Sequence, residues 1–205
     1  TTKNKKNTPE RIELKKFMLR QVGLTDMFKN ERLASADLIV MGTHGAKGVK
    51  NLVGSNTQKI VRSAPMPVLV TKNPIEDLNI RDVVYASNFT SSDIEKFDAF
   101  RPFLDIFDPN VHLLKVNTPR SFERSEDSNR AIDGFLQRHS LSKFTATIYN
   151  DLSIEEGILN FTRGIDADMI AMATHGRTGF FQVVNGSLTE DIVNHTTFPV
   201  LSVKL

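Results

Sequence analysis

The 205-residue chain contains no cysteine. That excludes disulfide staples, thiolate metal sites and a cysteine nucleophile, and it fits a reducing compartment. It also lacks an excess of either charge, because 26 basic residues against 24 acidic ones leave a formal net charge of +2. No strong field therefore recruits nucleic acid or an anionic membrane by counter-ion release. Apolar runs are short, none approaching the roughly 18 residues that span a bilayer, and the first residues carry no signal-peptide pattern. A cytoplasmic location is the expectation, with neither nucleic acid nor membrane as partner. Also missing are a Ser-His-Asp order with a nucleophile elbow and a complete P-loop. No catalytic residue is nominated, no metal site of the protein's own is seen, and no enzyme is expected.

What is present is a repeat. Ala36-Asp37-Leu38-Ile39-Val40-Met41-Gly42-Thr43-His44-Gly45 returns 131 positions later as Ala167-Asp168-Met169-Ile170-Ala171-Met172-Ala173-Thr174-His175-Gly176. Gly54-Ser55, Thr57, Ile60-Val61 and Pro67-Val68-Leu69 recur at an offset of 132 as Gly186-Ser187, Thr189, Ile192-Val193 and Pro199-Val200-Leu201. The duplicated piece reads as strand, glycine loop, helix and strand, and an offset of this size favours two α/β units of roughly 130 residues each. The second copy has 87 residues before Ala167, counted from Ile80, whereas the first has 35 before Ala36. The first unit, residues 1–73, is therefore expected to be short by roughly 50 residues beside the second, 79–205. Polar residues 72–79, with Pro74, read as the linker.

Polar residues 1–7 read as a loose end, and Thr8-Pro9 opens a helix that ends at Gly23. Residues 38–41 are four consecutive apolar side chains, the pattern of a parallel strand covered on both faces. A helix over 55–63 and a strand over 68–70 follow, and the same elements recur at 169–172, 187–195 and 200–203. The second unit opens with a strand at 83–86 and a turn at 87–90. Ser91 or Ser92 then caps a helix carrying Ile94, Phe97, Phe100 and Phe103. A strand at 111–116, a helix near 129–139, a strand at 144–149 and a helix over 154–163 complete it. The order βαβαβαβαβ demands a doubly wound parallel sheet with right-handed crossovers, and its functional edge lies at the carboxyl ends of the strands.

At that edge the strand ending at Met172 runs into Thr174-His175-Gly176, and ten positions on Gly186-Ser187 starts a helix. Unpaired N–H groups and the positive dipole end of a helix start hold phosphate oxygens where small residues allow close approach. Glycines that merely close tight turns are the competing reading, and the duplication narrows the gap between the two. Asp-Leu-Ile-Val-Met-Gly-Thr-His-Gly at 37–45, the Gly-Ser turn, and Pro-Val-Leu-Val at 67–70 resemble the universal stress protein family. The resemblance implies flavodoxin-like, Rossmann-like units with five-stranded parallel sheets, the first incomplete, paired through their last strands. It also implies stress-linked function and, in some members, an ATP site patterned Gly, two residues, Gly, nine residues, Gly and Ser or Thr, with an acidic residue after the first strand near adenine.

Carried onto this chain, the resemblance implies a nucleotide-binding set of Asn88, Val116, Thr174, His175, Gly176, Arg177, Gly179, Gly186 and Ser187, with Gly42, Gly45, Gly54 and Ser55 in the first copy. The ligand would be ATP or another adenine nucleotide, with magnesium only alongside ATP. Both copies depart from the pattern. Eight residues separate Gly45 from Gly54, Ala173 stands at the second copy's first glycine, and Asn88 replaces its aspartate. An asparagine amide still donates and accepts, without a charge-assisted bond. Two readings stand: a nucleotide-binding stress-response protein, further homodimerisation included, or a scaffold of the same fold with degenerate sites. His44 and His175 read as turn-stabilising. Glu155-Glu156 and Glu190-Asp191 read as solvated helix-start acids, Lys47 and Arg177 as phosphate-steering or plain surface cations, and Phe97, Phe100, Phe103 and Phe107 as core.

Overall fold

The computed structural model describes residues 27–30, 35–42, 55–72, 79–174 and 188–204. Within them, strands β1 (Ile39–Gly42), β2 (Val68–Thr71), β3 (Asp82–Ala86), β4 (Asn110–Asn117), β5 (Phe144–Asn150), β6 (Met169–Thr174) and β7 (Val200–Lys204) form one sheet. Its order is β1-β2-β7-β6-β3-β4-β5, parallel throughout except where β2 meets β7. Helices α1 (Ser55–Ser63), α2 (Ser91–Lys96), α3 (Arg101–Phe107), α4 (Ser125–Arg138), α5 (Ile154–Gly164) and α6 (Leu188–His195) cover it. Apolar residues of α1, α5 and α6 pack on one face, those of α2 to α4 on the other. The helix expected near 8–23, the linker residues 73–78, His44 and Lys47 lie outside the described residues.

The repeated sequence makes the same local structure twice. Ile39 faces Val68 in β1–β2 as Ile170 faces Val200 in β6–β7. The Ile39 and Ile170 N–H groups each donate to a proline carbonyl, of Pro67 and Pro199, at 3.0 Å. Between β2 and β7, Leu69 sits opposite Leu201, its own counterpart, so the antiparallel register is centred on equivalent residues. The last strands of the two copies, expected to face one another, pair as β2 and β7, and the described strands form a single seven-stranded sheet. Antiparallel pairing lets each last strand satisfy the other's backbone groups, and that merges the strands of both copies. A correction concerns 38–41. Strand β1 pairs only with β2 among the described residues, and its burial alternates, with Val40 exposed.

The helix drawn through the phenylalanines is broken in three. Thr90, not Ser91 or Ser92, is the N-cap of α2: Asp93 N–H donates to its hydroxyl, and Asp93's carboxylate accepts from Thr90 N–H, a reciprocal capping box. A 3₁₀ turn at Phe97–Phe100 then re-aims the chain into α3, where Pro102 stands in the first turn and needs no N–H partner. The core reading of the phenylalanines holds, since Phe97, Phe100 and Phe103 are buried. Tyr85 of β3 meets Phe97 edge-on at 4.9 Å and stacks on Phe135 of α4 at 5.7 Å, geometries that aromatic quadrupoles favour.

Candidate functional site at the carboxyl ends of β3, β4 and β6

Strand β3 has β4 on one side and β6 on the other, each parallel to it, so the chain winds first one way and then the other from β3. Such a reversal opens a crevice outside the carboxyl ends of the strands. Ala86 faces Met172, and the turn after β3 and the end of β6 lie together at this point. The turn is fixed by Ser87, whose hydroxyl accepts from Phe89 N–H at 2.8 Å, and by Phe89 at φ 57°. That left-handed conformation costs a non-glycine residue energy. It swings Asn88 to a half-buried position over β4, and among the described residues its amide has no hydrogen-bond partner.

A charged residue not singled out from the sequence sits beneath it. Lys115 shares a strand face with Leu113, and its side chain is only 7% exposed. Its ammonium donates to the Asn88 carbonyl at 3.3 Å and pairs with the Glu123 carboxylate at 2.5 Å. Ser128, buried in the first turn of α4, donates to the same carboxylate at 2.8 Å. The Lys115 bond, with the Ser128 bond second, holds the Glu123 carboxyl below its usual range. Asn117 fixes the Glu123 backbone from both sides, its amide donating to the carbonyl and accepting from the N–H. The signal was legible: one lysine inside the apolar run Val111 to Val116, in a strand whose last five residues are all buried.

Of the nominated residues, the described ones fall as follows. Asn88 and the Thr174 backbone follow or end adjacent parallel strands, and Val116 is buried near the end of β4 with its side chain against Gly157 of α5. Ala173 lies in extended strand backbone opposite Val203, so the replaced glycine is not required there by conformation. Gly42 ends β1 with open space where a Cβ would stand, and Ser55 begins α1. His175, Gly176, Arg177, Gly179, Gly186, Ser187, Gly45 and Gly54 lie outside the described residues.

The structure brings other groups together elsewhere. Glu155, expected to be solvated, bonds instead to His195 and ties α5 to α6. Glu156 meets the Ser153 cap of α5. His112 bridges Asp82 and Thr145 at 2.9 Å to each, and His139 is buried between the Ile94 carbonyl and Asp98. The His112 and Asn110 hydrogen bonds hold the Asp82 carboxyl below its ordinary range. Apart from the Ser153 cap, these pairs link separate structural elements, and among the described residues no cluster of three potential metal ligands occurs. An open cleft of about 490 Å3 lies one strand over from the crevice, between the ends of β4 and β5, lined by Asn117, Thr118, Phe122, Asn150, Asp151 and Leu152. Its polar groups are largely spent on internal bonds: Thr118 to Ser121, and Asp151 to Leu152 N–H and Asn160. No helix among the described residues is long and apolar enough to cross a membrane.

Comparison with known proteins agrees with this fold. A universal stress protein of Synechocystis sp. is 24% identical over 168 residues, 81% of this chain and 57% of the relative. One from Methanocaldococcus jannaschii is 36% identical over 64 residues, 31% of this chain and 38% of its own length. A universal stress protein structure from Archaeoglobus fulgidus superposes with a TM-score of 0.65 at 19% identity, covering 88% of this chain and 64% of that one. The chain thus spans under two thirds of the lengths of these relatives. The sequence model of the universal stress protein family matches residues 31–72 and 107–204, which is more than half of the chain. This protein belongs to the universal stress protein family.

Proposed function

We propose that the chain is a tandem, non-catalytic stress-response protein of the cytoplasm, with units 1–73 and 79–205 joined through β2 and β7, that senses an adenine nucleotide, ATP foremost. The nucleotide sits at the carboxyl ends of β3 and β6, its base against the Asn88 turn and the end of β4, its phosphates on the loop between Thr174 and Ser187. Magnesium arrives only with ATP. The observation that carries this reading is a half-buried Asn88 amide with no partner among the described residues, at the reversal point of the sheet and one strand from Thr174. Support comes from the nine-residue spacing of Gly176 and Gly186 and from the extended backbone at Ala173. The buried Lys115 ammonium, by donating to the Asn88 carbonyl, fixes the turn that presents the amide.

Equilibrium titration with ATP, ADP and AMP tests the proposal. Binding should appear at or below millimolar ATP, weaken severalfold in Asn88→Ala through loss of one or two neutral hydrogen bonds worth about 1 kcal/mol each, and vanish in Gly186→Val. Absence of binding by all three at millimolar concentration replaces it with the scaffold reading. The specific observation favouring that second reading is Asn88 itself, an uncharged residue where the family pattern has aspartate.

A further inference from the structure

Among the described residues β5 pairs with β4 alone, so its far side is a free sheet edge. The hydrogen bonds to β4 identify which backbone groups are unused. Val111 N–H donates to the Lys143 carbonyl, and Asp151 N–H donates to the Asn117 carbonyl. In a parallel ladder alternate residues point the same way, so 143, 145, 147, 149 and 151 face β4, and Phe144, Ala146, Ile148 and Asn150 present their N–H and C=O groups outward. This edge carries none of the usual protections. Phe-Thr-Ala-Thr-Ile-Tyr-Asn has no charge, no proline and no glycine over seven residues rich in β-formers. Exposed apolar side chains gather along it, Phe144 at 44% and Leu152 at 79%, with Phe122 at 75% across the cleft at its end.

We infer that the β5 edge is an interface for a second copy of this chain, joined by antiparallel β5–β5 pairing about a twofold axis at Thr147. Antiparallel pairing about that residue sets Phe144 against Asn150 and Ala146 against Ile148, and both members of each pair are outward-facing. The register therefore forms hydrogen-bonded pairs with the backbone groups that β4 leaves free. It also brings Lys143 of one copy opposite Asp151 of the other, twice, at the two ends of an uncharged strand, so charge specifies the register. Lys143 already binds Asp108, and Asp151 accepts from Asn160 and Leu152 N–H. An ammonium has three donors and a carboxylate about four acceptor sites, enough for a second partner. This interface is independent of any nucleotide and distinct from the β2–β7 seam.

The test is sedimentation equilibrium of the 205-residue chain together with amide hydrogen exchange. The expected result is a species of twice the 23.0 kDa chain mass, with the amides of Phe144, Ala146, Ile148 and Asn150 gaining protection as concentration rises. Ala146→Pro deletes an outward N–H without touching the β4 ladder and should give a monomer. Lys143→Glu should raise the dimer Kd at least tenfold, and adding Asp151→Lys should restore it. Circular dichroism confirms that each variant is folded. A monomer at every concentration, a dimer in which those four amides stay unprotected, or a dimer unaffected by Ala146→Pro overturns the inference.

Discussion

The pair formed by Lys115 and Glu123 is asymmetric, and that asymmetry yields a sharp prediction. The lysine side chain is 7% exposed whereas the glutamate side chain is 47% exposed. Removing one partner of a fully buried pair costs about 3–5 kcal/mol, because the other charge is stranded. Glu123→Ala strands the ammonium with the Asn88 carbonyl as its remaining acceptor, and partial solvent access on the glutamate side lowers the expected cost to about 2 kcal/mol. Lys115→Met strands nothing of comparable cost, since Glu123 keeps Ser128 and water, and the unbranched thioether refills the space. Its cost should stay within about 1 kcal/mol of zero. The double variant should resemble Lys115→Met, a coupling of about 1–2 kcal/mol. Urea denaturation followed by circular dichroism measures all three. The acid limb adds a second readout: the Glu123 carboxyl is held below its usual range mainly by Lys115. Its contribution is therefore present above the unfolded carboxylate pKa near ~4.3 and lost as pH falls through the folded value; in Lys115→Met that loss should shrink. Should Lys115→Met prove costlier than Glu123→Ala, the argument from desolvation fails.

Two further outcomes follow from close packing and burial. A Cβ at Gly157 would lie 2.5 Å from Val116 Cγ1 and 3.2 Å from Asp151 Cβ, so Gly157→Ala sets an overpacking cost of about 1–3 kcal/mol against a helix gain of about 1 kcal/mol. A net loss of ~1 kcal/mol is expected in urea unfolding, turning into a gain in a Val116→Ala background, and an unchanged sign there refutes the contact. Burial first, then the Asp93 charge, pushes the Tyr85 hydroxyl above its ordinary range. The unfolded chain releases that proton near pH ~10 while the folded one keeps it, so stability should fall as pH rises past that value. Tyr85→Phe should flatten this alkaline decline, as measured by denaturation midpoints across it.

Much of the described fold was legible because hydrophobic runs mark its strands and helices, and because duplication writes β1, α1 and β2 a second time as β6, α6 and β7. Strand and helix positions read from hydrophobic runs agree with the structure to within a few residues, and the facing of last strands emerged as the Leu69–Leu201 register. Tertiary context decided what local pattern could not. Four apolar residues at 38–41 look doubly covered, yet among the described residues β1 stands at the end of the sheet; a run of apolar residues reports what a strand is suited to, not which neighbours it has. The phenylalanines repeat at helical spacing across a stretch that the structure divides, because a 3₁₀ turn preserves an i, i+3 face while redirecting the axis. At the site, glycine spacing drew attention to the loops and away from Lys115, whose meaning comes from Glu123, eight residues on and across a hook that no periodicity marks.

The direction of the strands limits how the duplicated loops can cooperate. Strand β1 is parallel to β2, β2 antiparallel to β7, and β7 parallel to β6. Hence β1 and β6 run in opposite senses, and the chain leaves β1 at Gly42 and β6 at Thr174 on opposite edges of the sheet. The two strands that lead into the repeated glycine motifs therefore point toward opposite ends of the sheet. Each must be judged with its own neighbours. The second copy has them: the Asn88 turn from β3, the polar hook of Lys115, Glu123 and Asn117 from β4, and the reversal point between β3 and β6. Among the described residues the first copy offers β1, α1 and β2, which supply a carboxyl edge but no reversal point. The nucleotide proposal thus stands on the second copy by topology, whatever the sequence likeness of the two loops.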